Sequence, residues 1–128
     1  MATSGTPNSG LNQIGAWVYV ANNMSLVCYT NTANSLSDTT VYADLVQPAV
    51  ANGYAPITLT GANWTVTNGV MTYNSDPQWS ATGTWGATVT GVAILYSTTL
   101  MHFKDLTAPF IASSGGKLKI DLTTIVAP

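Results

Sequence analysis

Alternation of apolar residues with threonine is the feature that most limits how this chain can fold. Residues 57–60 and 64–67 alternate strictly in this way. A period of two places the apolar side chains on one face of a β-strand and the threonines on the other. Asn68-Gly69 follows directly, and this pair favours a two-residue hairpin turn, in which both positions need a positive φ. The sequence therefore predicts an antiparallel hairpin here.

Further short strands are predicted on both sides of this hairpin. They cover residues 16–20, 24–30, 70–73, 79–82, 87–97, 100–104, 110–112 and 117–122. Residues 87–97 form the longest apolar run, which is typical of a central strand buried on both faces. Residues 105–109 contain Pro109 and are expected to break the strand before them. In the last segment, Leu118, Ile120 and Leu122 are predicted to point inward.

One short helix is predicted near residues 40–46. Asp38 and its Ser and Thr neighbours are good N-cap residues, and Val41, Leu45 and Val46 follow at helical spacing. Pro48 is expected to end the helix.

Short strands separated by turns every 8–12 residues predict an all-β fold, either a sandwich or a barrel. We expect a compact β-sandwich of jelly-roll-like type with that one helix. A length of 128 residues suits one domain, assigned to residues 14–128. Residues 1–13 are rich in Gly, Ser, Asn and Thr and are predicted to form a flexible or extended N-terminal arm.

Charge is scarce in this chain: three Lys, five Asp, no Arg and no Glu, whereas 20 residues are Thr. An average domain carries about 25% charged residues. A weakly charged, Thr-rich surface favours a protein that packs against other subunits, and a secreted or cell-surface β domain is the alternative. With three cations and a net charge of −2, a nucleic-acid partner is not expected.

Neither export nor membrane insertion is predicted. Residues 1–11 lack the basic and apolar regions of a signal peptide, and the apolar residues 89–95 are too few to span a bilayer. We therefore expect a protein made in a cytoplasm and not exported by the usual route.

Catalytic or metal chemistry is not expected either. The chain has one His and one Cys, so it offers no His/Cys metal cluster, and no cofactor motif is present. His102 falls in an alternating strand, where a half-exposed position is expected, although a three-fold axis could gather three copies of it. Cys28 is expected to be a buried small hydrophobe. The five Asp are each explained by a turn, a cap or a solvated strand, so no enzyme is predicted.

The four Trp residues suggest either core packing or a sugar-stacking platform. Trp64 alternates with Val66 and is expected in the core. Trp85 lies in a Gly-Thr-Trp-Gly turn, where its side chain is hard to bury within one subunit. It is therefore the first candidate contact residue, for a neighbouring subunit or a glycan. Trp17, Tyr19 and His102 complete the candidate interface.

An ordered series of segments resembles a family of small virion proteins of tailed phages. The segments are Leu26-Val27-Cys28-Tyr29-Thr30-Asn31, Asp38-Thr39-Thr40-Val41-Tyr42-Ala43-Asp44-Leu45 and Gly53-Tyr54-Ala55-Pro56-Ile57-Thr58-Leu59, followed by Trp64, Gly69-Val70, the strand from Thr88 to Leu95, Leu100 to Phe103 and Gly116 to Leu122. The likeness covers residues 25–125 and is strongest to capsid decoration (cement) proteins of the cyanophage type. It implies a compact β-sandwich, often trimeric, that serves as a building block of heads or tails. Residues 1–20 depart from the pattern and are a candidate for the part that attaches the domain.

Two functions follow as hypotheses. The first is a decoration protein located in the virion, which bridges subunits of the major capsid protein, associates with itself as a homotrimer and stabilises the head. The alternative is a host-glycan-binding module of a tail or baseplate. A hydrolase of the host surface is a third possibility, but it lacks visible machinery.

Overall fold

The computed structural model describes residues 16–68 and 70–125, and most of the regular structure in these residues is β-strand. The strands are β1 (Met24–Tyr29), β2 (Ile57–Leu59), β3 (Trp64–Thr67), β4 (Val70–Tyr73), β5 (Gln78–Ser80), β6 (Val89–Tyr96), β7 (Thr99–Phe110), β8 (Lys117–Lys119) and β9 (Thr123–Ile125). All their pairings are antiparallel. The all-β prediction is confirmed, in a β-sandwich-like arrangement. The predicted arm, residues 1–13, lies outside the described residues.

The predicted hairpin is formed by β3 and β4. Thr67 faces Val70 across a two-residue connection, and Asn68 has a φ of 52°, the left-handed conformation that this turn type requires. Strand β9 pairs with the other side of β4, so the hairpin becomes a three-stranded sheet with the order β3–β4–β9.

The largest sheet has four strands in the order β2–β1–β6–β7. Its central strands carry apolar residues on both faces, and β6 is buried at nearly every position. The prediction of a central strand within residues 87–97 is confirmed. Such a strand tolerates few polar residues, because neither face meets water.

One face of this sheet, the front face, covers the main core. Leu26 and Cys28 of β1 lie beside Ile94 and Val92 of β6 on this face. The sheet β3–β4–β9 and the two-stranded sheet β5–β8 pack against it and supply Trp64, Met71, Tyr73 and Trp79 to the core. The connection from β8 to β9 adds Ile120 and Leu122. Each fully buried side chain of this size contributes roughly 1.5–3 kcal/mol through removal of apolar surface from water.

The opposite face, the back face, is covered by a connection and not by a sheet. Val27, Tyr29, Ala93 and Leu95 form a second apolar cluster there. Residues 31–46, which we call the strap, run over this cluster and contribute Leu36 and Leu45. The four-stranded sheet is therefore enclosed on both sides.

The first predicted strand is wrong. Ala16–Val20 forms one turn of π-helix, which places Tyr19 against Trp64 at 5.1 Å between ring centroids. Aromatic and β-branched residues suggested a strand, but a strand needs a neighbouring edge with which to pair, and tertiary packing overrides a weak local preference.

The predicted helix at residues 40–46 is reduced to a single 3-10 turn, Tyr42–Asp44. Asp44, and not Asp38, supplies the cap by accepting the backbone N–H of Val41 at 2.9 Å. The helix cannot continue because Leu45 is extended and Val46 is bound to β1, with its carbonyl accepting the backbone N–H of Thr30 at 2.7 Å.

Two strand boundaries also differ from the prediction. Strand β7 continues through residues 105–109 to Phe110, with irregular pairing to β6 between Asp105 and Phe110. Residues 117–122 divide into β8 and an extended connection to β9. The predicted inward positions hold, since Ile120 and Leu122 are buried and Leu118 packs partly against the core.

Candidate interaction surface

Trp85 is a core residue of the described domain, which corrects the prediction that its turn leaves it exposed. Its side chain is 6% exposed. The indole Nε1–H donates to the carbonyl of Asn52 at 2.9 Å, and the ring packs 5.2 Å from Tyr54 and 5.5 Å from Phe110, measured between centroids. A ring enclosed in this way offers no open face on which a sugar could stack.

The burial of Trp85 depends on a second turn about thirty residues earlier in the chain. Asn52 has a φ of 53°, and its side-chain amide donates to the carbonyl of Thr84 at 2.7 Å. Gly53 also has a positive φ, and a Cβ there would lie 2.1 Å from the carbonyl oxygen of Ser80. The Asn52-Gly53 pair is the sequence signal that could have predicted a tight turn here, but not what packs against it.

Tyr19, another aromatic candidate, does not form a surface patch with Trp85. Tyr19 is 7% exposed, and burial raises the pKa of its hydroxyl. The backbone of Trp17 belongs to the π-helical turn, whereas its side chain lies outside the described residues. Tyr19 therefore contributes to packing within the domain.

His102 lies half-buried on β7 opposite Ile94, as its strand pattern predicted. Burial lowers the pKa of its imidazole, and the nearby Lys104 ammonium lowers it further. The ring is therefore neutral at pH 7, and within the described residues it makes no hydrogen bond.

We expect the single imidazole of this protein to titrate with a midpoint below 6.5. A lowered folded-state pKa means that the unfolded chain takes up the proton first. The stability that His102 contributes is thus present above pH 6.5 and is lost as the pH falls below that value. Proton NMR gives the midpoint without ambiguity, because the chain has one His.

The variant Lys104→Ala separates the two causes of this shift. Because burial is the larger cause, the midpoint should rise only part of the way towards 6.5 when the ammonium is removed. A midpoint at or above 6.5 in the wild-type protein would contradict the half-buried placement of His102.

A groove of about 320 Å³ runs beside His102, between residues 100–103 of β7 and the turn at residues 37–40. No β6 residue lines it, so it lies on the outer side of β7. The groove brings Ser37, Asp38 and His102 to one place. No hydrogen bond joins them in this part of the structure; the Ser37 hydroxyl is paired with that of Thr39 at 3.0 Å. A nucleophile activated by a base needs that missing contact.

Tyr29 and Asp105 are structural residues that sequence reasoning missed. Tyr29 faces Gly91 across the β1–β6 pair, and Gly91 faces Asp105 across the β6–β7 pair. The Tyr29 ring lies over Gly91, where a Cβ would be 2.1 Å from the ring, and its hydroxyl donates to Asp105 Oδ1 at 2.6 Å. Burial and this carboxylate raise the pKa of Tyr29 well above its usual range.

The same Asp105 carboxylate fastens the strap to the sheet. Its second oxygen, Oδ2, accepts the backbone N–H of Asn34 at 2.7 Å, and Asn34 adopts a positive φ of 62°. At the other end of the strap, the Asn31 amide donates to the carbonyl of Asp44 at 2.8 Å. The strap is therefore held in one conformation by side chains far apart in sequence.

Large apolar side chains are exposed on the strap and just after it. Val41 and Val46 are each 56% exposed and Val50 is 72% exposed, with Tyr42 between them less so. Ile111, beyond the end of β7, is 74% exposed. Val41 and Val46 were part of the helical spacing that predicted a helix, and on the strap both are exposed.

Cys28 is confirmed as a buried small hydrophobe on the front face of β1. Burial raises the pKa of its thiol to about 12, so it is protonated at neutral pH. Residues 16–68 and 70–125 contain no group of three His, Cys, Asp or Glu side chains placed to hold a metal ion. Nor does any helix in these residues have the length and hydropathy needed to cross a membrane.

Comparison of the chain with protein-family models, with curated proteins and with solved structures finds no significant match. The resemblance to small phage virion proteins therefore stays a prediction that rests on the quoted segments.

Proposed function

We propose that this protein is a phage capsid decoration protein that binds across major capsid subunits and stabilises the head. The observation that supports this is the chemistry of its surface. Only eight of 128 residues are charged, while Val41, Val46, Val50 and Ile111 are each more than half exposed. Large exposed apolar side chains are candidate contacts for another subunit, and little charge opposes its approach.

The strap also supports the proposal, because its exposed residues are held in place before any partner arrives. The Val46 carbonyl accepts the backbone N–H of Thr30, which directly follows β1, and the Val46 N–H donates to Asn31 Oδ1 at 2.9 Å. A surface that is already ordered loses little conformational entropy on binding, which leaves more of the contact energy for affinity.

The proposed mechanism is linkage between binding and assembly. A protein that binds only the assembled shell lowers the free energy of that state by mass action, so the shell breaks less readily. Symmetry repeats each contact many times, and association of copies with one another, as trimers if the resemblance holds, adds avidity.

The proposal includes no catalytic role. The protonated thiol of Cys28 is a poor nucleophile at neutral pH, and the Ser37 hydroxyl is engaged by Thr39. Support for the rival glycan-binding function is reduced, because it relied on an exposed Trp85, and that ring is enclosed.

The proposal predicts that Val41→Asp combined with Val46→Asp abolishes binding to particles that lack the protein. Two carboxylates at the contact would have to be desolvated without partners, and we expect affinity to fall by at least about a hundredfold. Co-sedimentation of purified variants with such particles measures the loss.

Thr65→Asp combined with Thr67→Asp is the matched control. Both residues are exposed on β3, away from the strap, and the pair adds the same charge. Equal loss of binding with both pairs would show that charge alone matters. Undiminished binding of the strap variant would remove the strap from the contact.

A further inference from the structure

We propose that the outer edge of β7 binds an extended segment of a different polypeptide as an additional strand of the four-stranded sheet. The inference rests on the proposed function, under which that segment belongs to the shell protein. Pairing of this kind uses backbone hydrogen bonds for affinity and side-chain pockets for selectivity.

The outer edge of β7 is unusually long for this domain. Among the described residues, β7 pairs with β6 alone, and it is twelve residues long. The strands at every other sheet edge are short: β2, β5, β8 and β9 have three residues and β3 has four. Short edges are one way in which proteins avoid unwanted pairing, and β7 is the exception.

The middle of β7 has the regular strand backbone that pairing with a further strand needs. Residues 102–105 face residues 94–91 of β6 one for one. The irregularities lie on either side, at Met101 and between Asp105 and Phe110. A partner strand can pair without interruption along residues 102–105, and pairing beyond them must follow these irregularities.

A groove overlaps this stretch at His102 and Phe103. Leu100, Met101 and Phe103 give it apolar walls, and Ser37 and Thr40 give it hydroxyls on the far side. Its volume of about 320 Å³ leaves room for side chains of an added strand. The Asp105 carboxylate is not a free charge that would keep another strand away from this edge, because the Tyr29 hydroxyl and the Asn34 backbone N–H both donate hydrogen bonds to it.

The charge of Lys104 identifies the kind of partner. Lys104 is exposed on the front side of the regular stretch, opposite Val92. A second copy of β7 that continued both faces of the sheet along this stretch would set Lys104 opposite either Lys104 or His102 of the other copy, so it offers Lys104 no acidic partner. A segment from another chain with an Asp or Glu facing Lys104 gains an ion pair instead.

Hydrogen exchange tests where the partner lies. Backbone amides would be compared in dilute protein, in concentrated protein and in protein bound to particles. We expect exchange in the peptide that covers Thr99–Phe110 to slow by at least about tenfold in the particle-bound sample alone, because the outward N–H groups gain acceptors.

Three other results are possible, and each contradicts the proposed pairing at β7 for a different reason. Slowing on concentration alone means that a second copy occupies the edge. Binding to particles without slowing in this peptide overturns the inference and leaves the proposed function in place. Failure to bind particles at all overturns both.

A matched pair of charge reversals tests the role of Lys104. Lys104→Glu should weaken particle binding about tenfold, whereas Lys117→Glu, an equal change at an exposed position on β8, should leave it within about twofold. Both variants should keep the wild-type unfolding temperature to within a few degrees. Equal weakening by the two reversals would show a general charge effect and contradict pairing at β7.

Discussion

Replacing Trp85 with alanine is expected to lower the free energy of unfolding by about 3–5 kcal/mol, the usual cost of truncating a buried Trp. The ring is enclosed by Tyr54 and Phe110, and the change also leaves the Asn52 carbonyl without its indole donor. Urea unfolding followed by far-UV circular dichroism measures the loss.

Trp85→Phe is the control for this variant. It keeps an aromatic ring against Tyr54 but removes the indole N–H, so the loss should be smaller, about 1–2 kcal/mol. A surface residue would behave differently, since substitutions there change stability by about 0.5 kcal/mol or less. A loss that small for Trp85→Ala would contradict the enclosed position and restore Trp85 as a contact residue.

Replacing Gly91 with alanine should destabilise the domain by about 3 kcal/mol, because the added methyl group overpacks a site that is already full. The new Cβ would lie 2.1 Å from Tyr29 Cζ and from its hydroxyl oxygen. The ring must move, and the hydrogen bond from Tyr29 to Asp105 breaks with it.

A double-mutant cycle with Tyr29→Ala isolates this clash. In the Tyr29→Ala background the methyl group has room, so Gly91→Ala should cost less than about 1 kcal/mol. The same cost in both backgrounds would mean that the backbone of β6, and not the Tyr29 ring, requires glycine.

The strands that the sequence predicted well are those defined by the pattern of a few adjacent residues. The alternation in residues 64–67 and the Asn68-Gly69 pair define the β3–β4 hairpin, and the apolar run of β6 indicates a strand covered on both faces. These features succeed because a period of two and a turn with positive φ are properties of a few adjacent residues.

The features that the sequence did not predict depend on contacts distant in the chain. Tyr29 and Asp105 are 76 residues apart, and Trp85 finds its acceptor 33 residues away at Asn52. The strap likewise takes its extended form from its bonds to β1, so the apolar spacing around Val41 suggested a helix where none continues.

The candidate surface was predictable in composition and not in position. Scarcity of charge predicts a protein that acts through contacts, which stays a prediction, whereas His102 is half-buried on its strand as expected. The burial of Trp85 was not predicted, because a turn of small residues does not reveal what packs beneath it, as the Asn52-Gly53 turn shows.

A cryo-EM map of the virion that contains this protein tests the central claim most directly. Particles from a phage with the gene deleted serve as the control for assigning density. If the protein is a decoration protein, the map will show the β-sandwich-like domain at symmetry-related positions on the outside of the shell, across joints between major capsid subunits. The strap will face the shell. Density confined to the tail or baseplate, or none on the particle, would contradict it.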